Sequence, residues 1–453
     1  MVDGKVFTFR ALKFRPQGLN EHIKMANSPQ QAKLEQRSSS DTTRSIVIIG
    51  ALFFIFGFVT WLNSLLIPYL QIACELTPFQ SYFVTFAFYI AYVVMAPIST
   101  RTLNYFGFKN GMSVGLLIMA VGALLFIPAA MSRTYILFLL GLFIMGSGLA
   151  ILQTASNPYI TIVGPAESAA KRISIMGICN KLAGAAAPII IGIFLQLDKA
   201  DELKAKISSL SPAEMIEELD AMALRVIPPY IGIIIVLLAL AFWVYKSSLP
   251  EVDTDEEDES LTTTNSGKKS VFDFPHVILG VITLFLYVGV EVIAGDSIIS
   301  YGDTQGIPLT TAKYFATGTM VAMIIGYIIG IITIPKYIRQ ENALKVCAIL
   351  GVVFSISAIM TDGFVSIAFI ALLGLANSLM WPAIWPLALA DVGKFTKAAS
   401  SLLVMAIAGG AIIPLAYGAL AGAWDAQSAY WLMVPCYLFI LYYAVSGHKI
   451  RKA

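Results

Sequence analysis

Long apolar runs dominate this chain and decide what it can fold into. About twenty apolar residues cross a bilayer as a helix, and breaks at charged and Gly/Pro/Asn clusters delimit twelve such runs. They lie at 45–70, 79–100, 110–130, 134–160, 173–197, 227–246, 275–301, 311–335, 343–361, 363–390, 396–421 and 426–445, numbered below as spans 1 to 12. Composition agrees with lipid as the solvent. The 453 residues are 58% hydrophobic and 13% charged, where a soluble domain carries roughly 25% charged residues. The expectation is an all-α membrane protein of twelve transmembrane helices. Span 1 is too long, and too far from the N-terminus, for a cleaved signal peptide.

Charge placement orients these spans. With the N-terminus in the cytoplasm, 23 of the 30 Lys and Arg residues fall on the cytoplasmic side. Six (Arg133, Lys199, Lys204, Lys206, Arg225, Lys313) fall on the other side, and Lys181 sits inside a span. Positive charge collects on the cytoplasmic side of membrane proteins, so both termini are expected there, in a multi-pass membrane protein. Residues 1–44 and 446–453 are then cytoplasmic tails around bundles at 45–246 and 275–445. The acidic stretch from Glu251 marks 247–274 as a cytoplasmic linker between them. In the outer loop 198–225, Ser211-Pro-Ala-Glu214 reads as a capping box opening a surface helix. The net charge of +2 gives no sign of a nucleic-acid partner, and the four cysteines and three histidines lack ligand-like spacing. No cofactor is expected, and a monomer is.

The halves repeat one another. Gly184-Ala-x-x-Pro188-x-x-x-Gly192 in span 5 returns as Gly410-Ala-x-x-Pro414-x-x-x-Gly418 in span 11, an offset of 226 residues. Gly148-Leu-Ala150 in span 4 meets Gly374-Leu-Ala376 in span 10 at that same offset. Two matches at one offset predict a duplicated six-helix unit. Parallel halves related about the membrane normal are the architecture of major facilitator transporters, with substrate held between them near the midplane.

Ionisable side chains in hydrocarbon cost about 2.5–3.5 kcal/mol each on insertion scales, so most face a cavity or a partner. Lys181 in span 5 and Glu291 and Asp296 in span 7 are three such residues, and Asn63, Gln153, Asn157, Asn180 and Asn377 are embedded amides. Gln153 and Asn157 share one face of span 4. Asn377, Trp381 and Trp385 form an i, i+4, i+8 stripe on span 10, and Tyr287, Glu291 and Gly295 form another on span 7. Amides beside indoles suit a sugar, whose hydroxyls need donors and acceptors and whose C–H face packs on aromatic rings. Asp296 is turned about 140° from Glu291 around the helix, in the outer third of span 7 where water can reach it. Each residue also has an architectural reading. Amides bond between helices, Trp anchors at membrane interfaces, and Gly326-x-x-x-Gly330 and Gly418-x-x-x-Gly422 read as close helix packing.

Enzyme motifs fail here. Gly267-Lys-Lys-Ser270 lacks the upstream glycine of a P-loop, and Gly111-Met-Ser-Val-Gly115 opens an apolar span where a nucleophile elbow needs a strand-to-helix turn. Transport would therefore run on a gradient.

Several segments resemble the fucose–galactose–glucose symporters of the major facilitator superfamily. They are Trp61-Leu-Asn-Ser-Leu-Leu-Ile-Pro68, Leu152-Gln-Thr-Ala-Ser-Asn-Pro-Tyr159, Gly164-Pro-Ala-Glu-Ser168, Tyr287-Val-Gly-Val-Glu291 and Gly374-Leu-Ala-Asn-Ser378 through Pro382. The run Arg172 to Lys181 is closer to the N-acetylglucosamine and glucose/galactose permeases than to the L-fucose permease. The fucose pattern carries acids where this chain has Ser64 and Gln153, and the superfamily's motif A is degraded around Arg101 to Lys109. The resemblance implies an importer, in the inner membrane, of a neutral monosaccharide coupled to H⁺ or Na⁺. The embedded groups read above, Asn63, Gln153, Asn157, Asn180, Lys181, Tyr287, Asn377, Trp381 and Trp385, are the candidates to face the sugar. Glu291 and Asp296 are the candidates for ion coupling. An uncoupled facilitator and a non-transporting sugar sensor are the alternatives.

Overall fold

A computed structural model describes residues 39–162, 169–206, 209–247, 249, 270–334 and 336–450. The tail before residue 39, most of the linker at 247–274, the Gly164–Ser168 segment and residues 451–453 lie outside it. Among the described residues every regular element is helical. Eleven helical runs are long and apolar enough to cross a membrane. One of them, Pro78–Met131, holds spans 2 and 3. They meet at Gly107, whose φ of 77° and ψ of 170° break the helix in a conformation natural to glycine. The architecture is thus twelve membrane helices in two pseudo-symmetric bundles of six.

Several spans are assembled from shorter pieces. Span 1 is Ser39–Trp61 continued by Asn63–Ala73, and span 7 is Pro275–Asp296 continued by Ile298–Thr304. Span 10 breaks between Gly363–Asn377 and Met380–Leu389. Pro382 accounts for that break, since it has no N–H for the Ser378 carbonyl and its ring crowds it. The Asn377–Trp381–Trp385 stripe therefore does not run on one continuous helix, and only its Trp381–Trp385 part keeps helical spacing.

The loop at 198–225 is more structured than its polarity implied. Leu197–Lys206 is helical, and Pro212–Leu224 follows with the Ser211/Glu214 capping box formed. The Ser211 hydroxyl and N–H hold the Glu214 carboxyl below its usual range. The expected domain limits also shift. The helix of span 1 begins at Ser39, inside the stretch read as a tail. Residues 270–274 join the second bundle, Phe274 packing on Phe395 with ring centroids 5.6 Å apart. At the other end His448 is buried and its Nδ1 bonds the Tyr443 carbonyl at 2.9 Å, so residues 447–449 are part of the bundle and not a solvated tail.

Glycines set how closely the helices approach. A Cβ at Gly57 would lie 1.9 Å from the Asn180 carbonyl oxygen, whereas one at Gly232 would meet nothing within 4 Å. Gly57→Ala must push spans 1 and 5 apart and is expected to cost about 1–3 kcal/mol. Gly232→Ala is expected to melt no earlier than wild type, and thermal unfolding of the two in detergent checks the contrast. Gly326 abuts Ser378 and Gly330 abuts Leu379, seating span 8 against the break in span 10; Gly418 abuts Tyr82, but Gly422 has no neighbour within 4 Å.

The bundles meet along spans 5 and 8 and along spans 2 and 11. They are knitted together at the end that carries the loops from span 5 to 6 and from span 7 to 8, called the distal end below. There both Asp201 carboxylate oxygens take up the open N-terminus of span 8. Leu309 N donates to Oδ1 at 2.8 Å, and Thr310 N and Oγ1 donate to Oδ2 at 3.1 and 3.0 Å. Lys204 pairs with Asp303 beside it. Tyr82 meets Tyr417 edge-on at 5.4 Å, and Tyr417 lies 4.9 Å from Tyr430.

Candidate transport site

Lys181 and Glu291 meet where the two bundles face each other. Nζ lies 2.9 Å from Oε1, and the side chains are only 7% and 11% exposed. Lys181 stands on Ala169–Phe194 and Glu291 on Pro275–Asp296, so one nearly buried charge pair joins the N-terminal half to the C-terminal half. Trp61 of span 1 completes the junction. The Lys181 ammonium stands 4.2 Å from the centroid of its ring, a contact worth about 0.5–2 kcal/mol. Trp61 Nε1 donates to Asn180 Oδ1 at 3.4 Å, and Asn180 Nδ2 donates to the Phe53 carbonyl at 3.4 Å.

Two glycines make room for that indole. A Cβ at Gly184 would fall 2.5 Å from Trp61 Cδ1, and one at Gly295 would fall 2.2 Å from Cζ3. The ring is therefore clamped between span 5 of one half and span 7 of the other. Any parting of the halves here has to move Trp61.

Aromatic rings form a wall on the C-terminal side. Trp381 and Trp385 stack with centroids 5.4 Å apart and planes 23° from parallel, and Tyr287 lies 6.5 Å from Trp381. Tyr287 also interacts with Glu291 one turn along its own helix. The remaining amides divide. Asn377 is buried and accepts from the Tyr437 hydroxyl at 2.9 Å, leaving its Nδ2 unpartnered. Asn63 is buried with both polar atoms unpartnered. Gln153 and Asn157 are half-buried and form no hydrogen bond to the described residues. An unpaired buried amide is costly, which sets Asn63 and Asn377 apart from the other embedded amides.

Asp296 departs from its expectation. It does not reach water; it is fully buried, with Thr85 Oγ1 of span 2 donating to Oδ2 at 3.3 Å and with Oδ1 unpartnered. The turn around span 7 thus aims Glu291 at span 5 and Asp296 at span 2. Among the described residues no three His, Cys, Asp or Glu side chains gather to hold a metal ion. Ser64, where the fucose pattern has an acid, is buried and donates to the Trp61 carbonyl at 2.8 Å.

Sequence reading passed over Trp61 and Thr85. Trp61 had a signal, an indole two residues before an embedded amide. Thr85 had none, because a lone threonine in an apolar helix usually bonds its own backbone.

Comparison with known proteins gives the family. The Major Facilitator Superfamily profile matches residues 49–413. The glucose/galactose transporter of Brucella abortus is 34% identical over 425 residues, covering 92% of this chain and 97% of that protein. The chain belongs to the Major Facilitator Superfamily, within its fucose–galactose–glucose symporter family. The L-fucose–proton symporter of Escherichia coli is 30% identical over 371 residues, covering 81% of this chain and 84% of the relative. A crystal structure of the E. coli fucose:proton symporter superposes with a TM-score of 0.66 at 25% identity, over 89% of this chain and 98% of the other. The chain is a multi-pass membrane transporter and not an enzyme.

Proposed function

We propose that this chain imports a neutral hexose, of the glucose/galactose or N-acetylglucosamine class, together with a cation by alternating access across the inner membrane. The observation that carries the reading is the Lys181–Glu291 pair beside Trp61, the nearly buried charge contact between the two halves. A ligand shifts an equilibrium only where its affinity differs between the two states. Groups shared by both halves supply that difference, because their partners change when the halves part. The names of the relatives, glucose/galactose transporter and L-fucose–proton symporter, support a sugar as the cargo.

In this reading the sugar lies between the Tyr287–Trp381–Trp385 wall and the amides Asn63, Gln153, Asn157, Asn180 and Asn377, with Lys181 offering donors to its hydroxyls. The distal end faces outside, following the Lys/Arg asymmetry, and is closed in this conformation by Asp201, Lys204–Asp303 and the tyrosines. The protein works as a monomer.

Counterflow of labelled D-glucose, D-galactose, N-acetylglucosamine and L-fucose in proteoliposomes tests the reading. Saturable exchange of at least one of the first three is expected, and no exchange of any would overturn it. Accumulation against the sugar gradient separates a coupled carrier from a facilitator. Trp385→Ala is expected to raise the KM for the transported hexose about tenfold, as the loss of roughly 1.4 kcal/mol of ring contact would do. A KM unchanged in that variant would remove the indoles from the sugar site.

A further inference from the structure

We infer that Asp296 is the site at which this transporter carries a proton, and that closure of the distal end is possible only with that proton bound. The inference deepens the reading of a cation-coupled hexose carrier and rests on it. It assigns the coupling ion as H⁺ and moves the coupling carboxylate away from Glu291.

Geometry carries the argument. Asp296 is fully buried at the junction of the two halves. Its one hydrogen bond comes from Thr85, also fully buried, on the opposite half. Thr85 has a single hydroxyl proton and gives it to Oδ2, so Oδ1 is left with no donor. An ionised carboxylate needs both oxygens satisfied and a cation or water nearby, and a sealed one without them gives up its charge by taking a proton.

The neighbours offer no cation. Span 2 faces Asp296 with Thr85, Tyr82 and Tyr89. Span 1 presents the Trp61 ring against the adjacent Gly295. From the start of span 12, Tyr430 reaches the adjacent Ser297, its hydroxyl 2.7 Å from Ser297 Oγ, and Tyr417 of span 11 packs behind it, the ring centroids 4.9 Å apart. On span 7 itself the nearest charge is Glu291, and the Lys181 ammonium is already committed to that group. No described Lys, Arg or His acts on Asp296. A hard cation such as Na⁺ needs a shell of oxygen ligands, and the one side-chain oxygen bonded to Asp296 among the described residues is Thr85 Oγ1. Glu291, by contrast, has its counter-charge in place, Lys181 Nζ lying 2.9 Å from its Oε1.

The coupling step follows. With the distal end open, Asp296 loses Thr85, meets outside water and ionises. A proton from that water binds a carboxylate oxygen to give the neutral acid, no other bond changes, and the neutral acid can be sealed under Thr85 and the tyrosines. Proton binding thereby favours the closed state. When the opposite end opens, water entering between the halves takes that proton from Asp296 to the other side. The ionised carboxylate no longer tolerates burial, and the distal end reopens, so that one proton crosses per cycle.

Two measurements test this. Infrared difference spectra between wild type and Asp296→Asn at neutral pH are expected to show the C=O stretch of a protonated carboxylic acid; its absence would overturn the assignment whether or not any sugar is moved. In proteoliposomes free of Na⁺, wild type is expected to concentrate the hexose when the outside is acid. Asp296→Asn is expected to lose that accumulation, and its sugar exchange to lose its dependence on pH, while Asp296→Glu retains both at lower rate. Accumulation by Asp296→Asn at the wild-type level, or by wild type on a Na⁺ gradient alone, would sink the proposal and leave the hexose carrier standing. Absence of all hexose exchange in wild type would instead remove the carrier reading, and the infrared band would still decide Asp296.

Discussion

Lys181→Met and Glu291→Leu are each expected to lower folding stability by about 3–5 kcal/mol, because each strands a nearly buried charge without its partner. The side chains are 7% and 11% exposed and 2.9 Å apart, so little water remains to solvate the survivor. The double variant is expected to melt close to wild type, since replacing both charges by apolar groups removes the desolvation penalty together with the attraction. Thermal unfolding in detergent measures all three proteins. Single variants that melt as wild type does would show that the pair is solvated and structurally idle. Transport follows a different pattern. The double variant recovers stability but is expected to leave sugar exchange impaired, because Lys181 no longer offers donors to the sugar hydroxyls.

Asp201→Ala is expected to shift the protein toward its distal-open state by about 30-fold. Span 8 begins after Pro308 with no cap from its own chain neighbourhood, and its first amide protons are satisfied by Asp201 on the other half. Hydrogen bonds to a charged group contribute about 1.5–3 kcal/mol each. The site is partly exposed and the freed amides regain water when the halves part, so a net loss of about 2 kcal/mol is expected, a factor near 30 in the equilibrium. Labelling of Thr317→Cys by an impermeant maleimide, with the four native cysteines replaced by serine, reports the change. Thr317 is part-buried and donates across the junction to the Ala185 carbonyl at 2.8 Å, so its labelling is expected to speed up when the halves separate. A labelling rate that Asp201→Ala leaves unaltered would mean that the carboxylate does not hold the distal end shut.

How much of the site could be read from sequence depends on which interaction made each residue unusual. Lys181 and Glu291 stood out because a charge in an apolar helix demands an explanation wherever it occurs. Their pairing was not legible, since 110 positions separate them and only the docking of the two bundles brings them together. Asn377, Trp381 and Trp385 looked like one stripe because helical spacing assumes an unbroken helix. Pro382 cuts that helix, so Asn377 turns to Tyr437 of span 12 while the indoles stay with Tyr287. Asp296 was read as near water from its depth along span 7. Its burial comes from span 2 and from the tyrosines of spans 11 and 12, which depth along one helix does not reveal.

What the sequence determined by itself was the solvent and the count: twelve helices, because their backbone groups must be satisfied within each helix once lipid replaces water. It also determined the duplication, because equivalent glycines recur at one offset. The tertiary structure decided which embedded polar groups are partners, which are left unpartnered, and which end of the molecule is shut. Those outcomes depend on contacts between halves far apart along the chain, and the ordering of apolar residues within one helix does not encode which helix of the opposite bundle it will meet.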